Sequence, residues 1–298
     1  MAVQQKLGVD AINAKGWWLA HRWLILRRFS QLAILALFLV GPWMGVWVMK
    51  GNLASSVVLD TVPLSDPYLM LQVFLTGHVP ETTAITGLVI VLGFYLLVGG
   101  RIYCSWVCPI NPVTDFSAWL QRRLKIRATV RFSRSTRYWV LLMSLLLALT
   151  TGTLAWELIN PVSTVFRGLV FGMGLGWIVI LSIFLFDLVI GHRSWCGALC
   201  PVGAFYSVLG KGSLLKVAAA ARARCNDCME CFVVCPEPRV IRPALKGAKE
   251  STALITDSEC TNCGRCIDIC SKDVFTFTTR FSHLKEINTA DQQMEVLP

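Results

Sequence analysis

Four uncharged stretches in the first two-thirds of the chain, and eight cysteines in two identical runs near its end, predict the fold class. It is an all-α four-helix transmembrane domain followed by a small α+β ferredoxin-like domain holding two [4Fe-4S] clusters. Composition agrees. Of 298 residues 55% are hydrophobic and only 15% charged, with a mean hydropathy of +0.59, which is too apolar for an ordinary soluble domain.

Residues 1–28 read as a basic cytoplasmic segment with five Lys or Arg. Residues 29–190 read as the membrane domain, whose stretches without Asp, Glu, Lys or Arg are Phe29 to Met49, Thr82 to Gly100, Tyr138 to Trp156 and Gly168 to Phe186. They are 21, 19, 19 and 19 residues long, and a helix needs about 20 to cross the hydrocarbon core. The first is too long and too far from the start for a cleaved signal peptide. Residues 191–221 form a cysteine-bearing connector, 222–280 the ferredoxin-type domain and 281–298 a mobile tail. Val274 to Thr279 and Val240 to Arg242 are expected as short strands, and Ala218 to Arg222 as a helix or linker.

Lys and Arg flank these spans asymmetrically. Residues 1–28 and 101–137 carry thirteen, the two alternate flanks only Lys50 and Arg167. By the positive-inside rule the N- and C-termini and the 101–137 loop are cytoplasmic in a multi-pass bacterial inner-membrane protein. Residues 1–190 supply +8 of the net charge of +10, and residues 191–298, which include the cluster domain, with 13 basic and 11 acidic residues, only +2. Basic loops beside a bilayer face anionic headgroups, so no nucleic acid partner is implied.

The two cysteine runs share the spacing C-x2-C-x2-C-x3-C. Three thiolates of a run surround one cubane and the fourth reaches the other. Cys225, Cys228, Cys231 and Cys270 are therefore assigned to one [4Fe-4S] cluster, and Cys260, Cys263, Cys266 and Cys235 to the second. Zinc would need only four of these eight. Four further cysteines follow the second and fourth spans as C-x3-C-P, at Cys104 and Cys108 and again at Cys196 and Cys200. The motifs lie 92 residues apart, an internal repeat. Cysteines four apart share a helical face, so the two pairs are expected to form a further iron–sulfur or metal centre. A reversible dithiol and plain packed thiols are the alternatives; a permanent disulfide is disfavoured in a reducing compartment.

None of the four histidines falls within a span, which argues against b-type haem. C-x-x-C-H, a G-x-G-x-x-G after a strand and a P-loop are absent. The remaining electron source for a membrane carrier is quinol, whose oxidation releases protons. Asp60, Asp66, His78, Glu81 and Glu157 are possible proton acceptors, and so is Asp187 at the end of the fourth span, where a carboxylate among apolar neighbours is costly.

Taken with Gly41-Pro-Trp-Met-Gly-Val-Trp, Asp60-Thr-Val-Pro-Leu-Ser-Asp-Pro and Asn160-Pro-Val-Ser, these motifs make the chain resemble the NapH family over nearly all its length. The resemblance implies a membrane subunit of a quinol dehydrogenase. It would draw on the quinone pool and, with a NapG-like periplasmic iron–sulfur partner, pass electrons towards c-type cytochrome and periplasmic nitrate reductase. A ferredoxin-type centre near −0.4 V would make that path steep: were quinol about 0.4 V more positive, two electrons would cost on the order of 18 kcal/mol. Two other classes stand beside this one: a membrane anchor or assembly subunit with structural clusters, and a thiol or metal reductase acting through the C-x3-C-P pairs.

Overall fold

The computed structural model describes residues 7–126, 130, 132–172, 174, 176–191, 193–246 and 252–281. Lys6, Arg127, Arg131, His192, His283 and the expected tail from 282 lie outside the described residues. The chain forms two compact units, each discontinuous in sequence: one of residues 1–28, 96–105 and 207–298, the other of 29–95 and 106–206.

The first unit is built around two short helices, Glu230–Val234 and Arg265–Ile269, packed on each other. Val217, Val240, Ile241, Ala244, Ile255, Val274 and Phe275 form its core with Cys231 and Cys266. Thr276–Thr279 is a strand, as expected, but its antiparallel partner is Leu215–Ala218, in register Leu215↔Thr279 to Ala218↔Thr276. That partner has no period-2 signal, because Lys216, Val217 and Ala218 are all buried. The expected strand at Val240 to Arg242 is helical instead: a 3-10 turn Pro238–Val240 leads into Ile241–Lys246. Two prolines without N–H groups disfavour a ladder there, and Ile241, Ala244 and Leu245 bury one face at helical spacing.

The N-terminal residues belong to this unit too. Lys15 Nζ donates to Ile267 O at 2.8 Å, and the Asp268 carboxylate accepts from Trp23 N and Leu24 N at 3.1 and 2.9 Å.

The second unit carries most of the apolar helices. Among the described residues one helix, Trp17–Met44, is long and apolar enough by itself to cross a membrane. It begins twelve residues before the expected span. The second and third expected spans appear as Thr82–Val98 and Ser135–Thr151, each 17 residues, or about 26 Å at 1.5 Å per residue. The fourth differs. Gly172 (φ 96°) ends the Pro161–Phe171 helix, and a new one, Gly176–Leu185, runs on as a π-helical turn to Ile190. Glycine accepts this left-handed backbone without a Cβ clash, so the apolar run breaks where hydropathy shows no seam.

Burial on these helices is inverted relative to a soluble protein. Ser135–Thr151 buries Arg137, Ser144 and Ala148 while Trp139, Met143 and Leu147 are exposed. Thr82–Val98 buries Gly87 and Tyr95 and exposes Val89, Phe94 and Leu97.

The all-α expectation for the membrane domain needs one amendment. Met49–Gly51, Ser55–Val58 and Val62–Ser65 form a three-stranded antiparallel sheet. Asn52 Oδ1 closes the first turn by accepting from Ala54 N and Ser55 N. Leu59 and Asp60 close the second, both at positive φ as a type I′ hairpin requires. The internal repeat also extends further than its cysteines: Pro67–Leu75 and Pro161–Phe171 each start with proline behind a capping side chain, Asp66 and Asn160.

Candidate functional site

All twelve cysteines are free thiols. The eight of the C-terminal runs line two cavities. One is bounded by Cys225, Cys228, Cys231 and Cys270 and has about 350 Å3 of atom-free space, part of it open to solvent. The other is bounded by Cys235, Cys260, Cys263 and Cys266 and has about 370 Å3. Each cavity thus takes three thiols from one run and the fourth from the other.

The backbone repeats as well. Asp227 and Met229 have φ of 57° and 62°, and Asn262 and Gly264, 35 positions on, have 46° and 72°. Alternating right- and left-handed residues turn successive N–H groups inward and make a concave anion site of the kind that suits iron–sulfur clusters.

The second member of each pair meets different surroundings. Met229 is exposed, whereas a Cβ on Gly264 would lie 2.5 Å from Trp23 Cγ. Gly264→Ala therefore combines left-handed strain with overpacking, and is expected to cost about 3 kcal/mol, read as a lower thermal midpoint. Met229→Gly is expected to be close to neutral by the same measurement.

Four thiols around each cavity suit a cluster that binds one thiolate at each iron, although Asp227 lines the first cavity as well and Glu237 and Glu259 the second. Among the described residues no three His, Cys, Asp or Glu side chains close in tightly enough to hold a single metal ion. A structural zinc would draw all four sulfurs to about 2.3 Å from one point.

Burial raises most of these thiols. Cys231 is pushed up to about 12 by burial, then by Cys228, Cys270 and Cys225. Cys260 reaches about 11, and Cys235 and Cys266 are raised too, burial again leading. Cys263 differs. Burial raises it, but the Arg265 and Arg27 guanidiniums together outweigh that and hold it below the ordinary thiol value. Since iron takes thiolate, loading these sites must displace protons.

Positive charge gathers on the second cavity. Lys216 and Arg101 act on Cys260, and Arg265 and Arg27 on Cys263. Arg101 is 3% exposed, and its Nη1 donates to Glu259 O at 2.9 Å and Glu259 Oε2 at 2.8 Å, with Glu237 Oε1 at 3.5 Å. Ser207 Oγ donates to Glu259 Oε1 at 3.0 Å. Ser105 Oγ donates to Thr261 O, and Asn262 Nδ2 to Val98 O and Leu215 O. Residues 96–105 are in this way fastened to the loop bearing Cys260 and Cys263. At the first cavity the corresponding cation, Lys246, lies nearer solvent and is paired with Asp227.

The C-x3-C-P residues are placed differently. Cys104 belongs to the first unit, and Cys108, Cys196 and Cys200 to the second; all four are half-buried. Neither pair shares a regular α-helical face. The Ile102–Trp106 helix ends before Cys108, and Cys196 sits in a π-helical turn that ends at Cys200. The proline after each motif is the cause, since the residue before proline is driven extended, as Cys200 is at ψ 113°. Cys108 packs on Ile110, Val162 and Ile183.

Of the candidate proton acceptors, His78 and Glu81 are exposed, and Asp60 is held by Lys50 at 2.7 Å. Glu157 accepts from Asn160 Nδ2 at 3.1 Å. Asp187 is buried and accepts from Trp195 N at 2.8 Å, whereas Arg193 pairs with Asp115 at 2.8 Å. Asp66 is the most constrained: its carboxylate accepts from Tyr206 OH at 2.5 Å as well as capping its helix. Its residue keeps an edge at the surface, yet dense packing around the carboxyl desolvates it and raises its pKa.

Comparison with known proteins fits this arrangement. A family model described as 4Fe-4S dicluster domain matches residues 224–274, and one described as 4Fe-4S binding domain matches 81–127 and 169–218, the two C-x3-C-P regions. Ferredoxin-type protein NapH of Escherichia coli is 51% identical over 92% of this chain and 96% of its own. Methylamine utilization ferredoxin-type protein MauN of Methylorubrum extorquens is 51% identical over 91% and 94%. Putative electron transport protein YccM of Escherichia coli is 25% identical over 74% and 67%. No solved structure matches the chain. Identity at this level, sustained along both chains, means that the protein belongs to the NapH family of ferredoxin-type electron-transport proteins and carries 4Fe-4S-binding domains.

Proposed function

We propose that the chain is a multi-pass inner-membrane electron carrier that oxidises quinol and passes the electrons through iron–sulfur clusters to a partner iron–sulfur protein. The observation that carries this reading is the pair of four-thiol cavities, each drawing on both cysteine runs. Cys225, Cys228, Cys231 and Cys270 hold one cluster, and Cys235, Cys260, Cys263 and Cys266 the other. A [4Fe-4S] cluster bound in such a site accepts and returns one electron at a time. Around it the chain supplies buried thiols, inward N–H groups and, at the second cavity, the charges of Lys216, Arg265 and Arg27. Those charges oppose the build-up of negative charge on reduction and so lessen the uphill gap from quinol.

The membrane reading is supported by the outward-facing Trp, Phe, Met and Leu of the second unit, a surface that water would penalise at about 25 cal/mol per Å2. The asymmetry of basic loops supports cytoplasmic termini. A third centre involving Cys104, Cys108, Cys196 and Cys200 rests on the sequence repeat and on the 4Fe-4S binding match over both copies.

Membranes containing the protein, given a reduced quinol under anaerobic conditions, are expected to bleach the cluster absorption and recover it on reoxidation. Clusters that bleach with dithionite but not with quinol would leave the membrane-anchor reading in its place. Downstream, the resemblance to the NapH family implies a NapG-like partner, c-type cytochrome and nitrate reduction. The MauN relatives, at equal identity, point to methylamine utilization. Loss of nitrate-dependent against methylamine-dependent growth on gene disruption separates the two.

A further inference from the structure

Gln72, in the Pro67–Leu75 helix, is fully buried at 0% exposure. Neither its amide nitrogen nor its amide oxygen has a hydrogen-bond partner among the described residues. An interior amide forgoes its bonds to water, so a native fold either pairs it or leaves it for something that binds. Tyr68 lies one turn earlier on the same face. Its hydroxyl is 2.7 Å from Ser144 Oγ, on the Ser135–Thr151 helix that packs against this one. At the head of the helix stands Asp66 with Tyr206, and the Tyr68 ring packs tilted on Phe205, which meets Tyr206 edge-on, as Tyr206 in turn meets Tyr95.

We propose that this helix is the quinol headgroup site, with Gln72 hydrogen-bonding one oxygen of the headgroup and Asp66 accepting a proton from the quinol. The inference rests on the quinol-oxidising reading above. A quinol is a flat apolar ring with a hydroxyl at each end. An amide that both donates and accepts, one helical turn from Tyr68 and the rings next to it, complements one of those hydroxyls.

Both O–H bonds of the hydroquinone break and the ring becomes quinone, releasing two electrons, for which clusters held in the thiol cavities would be the one-electron acceptors. Of the two protons Asp66, on which the Glu157 charge acts, takes one, and the other leaves to water. Among the described residues Tyr206 and Tyr68 also face that carboxyl. Desolvation, which raises Asp66, suits it to hold the proton. Cys200 lies near enough to act on the Tyr68 phenol, which brings a C-x3-C-P cysteine to this helix.

The test is Gln72→Met in the full-length protein in membranes, with duroquinol as the reductant and dithionite as the control. The expected result is an unchanged or higher thermal midpoint, full cluster reduction by dithionite, and a quinol KM raised by about tenfold or more, the loss of one good hydrogen bond. Asp66→Asn is expected to slow reduction at saturating quinol more than it raises KM. A wild-type KM in Gln72→Met would overturn the site. So would a lowered thermal midpoint, because it would show the amide already satisfied within the protein. Failure of the unaltered protein to accept electrons from duroquinol, with dithionite still effective, would instead remove the quinol reading itself.

Discussion

Changing Cys225 and Cys270 together to serine is expected to abolish one iron–sulfur centre and leave the other intact, whereas changing Cys225 and Cys235 together is expected to damage both. The members of the first pair are 45 positions apart and those of the second only ten, so proximity in sequence argues the other way. The geometry decides it: Cys270 shares a cavity with Cys225, Cys228 and Cys231, and Cys235 shares one with Cys260, Cys263 and Cys266. Iron and acid-labile sulfide content would be measured, with the low-temperature EPR of the dithionite-reduced protein. The first variant should retain half the iron of these two sites and one unperturbed signal. The second should retain no unperturbed signal from this unit, which would also lose thermal stability, because metal binding supplies folding free energy to small domains, of order 10 kcal/mol for structural zinc. An outcome in which the adjacent pair spares one centre and the distant pair spoils both would refute the crossed assignment.

The second large effect lies at Arg101. Its guanidinium is buried against Glu259 and within 3.5 Å of Glu237, and those side chains are 9% and 10% exposed. Arg101→Met removes a cation that both acids share, and breaking a buried pair in this way costs about 3–5 kcal/mol. Arg101→Lys keeps a charge but loses the fork, and should fall between. Adding Glu259→Gln to Arg101→Met should restore part of the loss, since the second change removes one of the stranded charges. Thermal midpoints of the cluster absorption in detergent check the series. A loss below 1 kcal/mol for Arg101→Met would show that the network is solvated and of little structural consequence.

What the sequence revealed and what it hid have physical causes. The eight cysteines were legible because thiolate ligands tolerate no substitute and their spacing carries the geometry of the cubane. The positions of three apolar helices were legible from runs without charge. The break at Gly172 was not, because hydropathy does not register a change of φ. Val240 to Arg242 looked like a strand from its β-branched content, although the prolines at 238 and 243 and the i, i+3, i+4 burial spoke for a helix. The C-x3-C-P pairs were read as sharing a helical face, and the prolines that end each motif prevent it. Arg101 with Glu259, 158 residues apart, and Asp66 with Tyr206, 140 apart, are pairings of tertiary origin that no local pattern announces. Gln72 gave no signal as a lone amide in an apolar stretch, and only its burial marked it.

The unit that encloses the thiol cavities is assembled from three separated pieces of chain: the N-terminal residues, residues 96–105 from the last turn of the Thr82–Val98 helix onward, and the C-terminal third. Consequently no single cut releases a self-sufficient soluble ferredoxin. A fragment starting at 222 would lack the strand that pairs with Thr276–Thr279 and the arginine that neutralises Glu259. During biosynthesis the same arrangement sets an order of events: the cluster pocket is complete only when the last third of the polypeptide has emerged and met segments made long before. Loading with iron is therefore a late step, coupled to completion of the whole chain rather than to synthesis of one module.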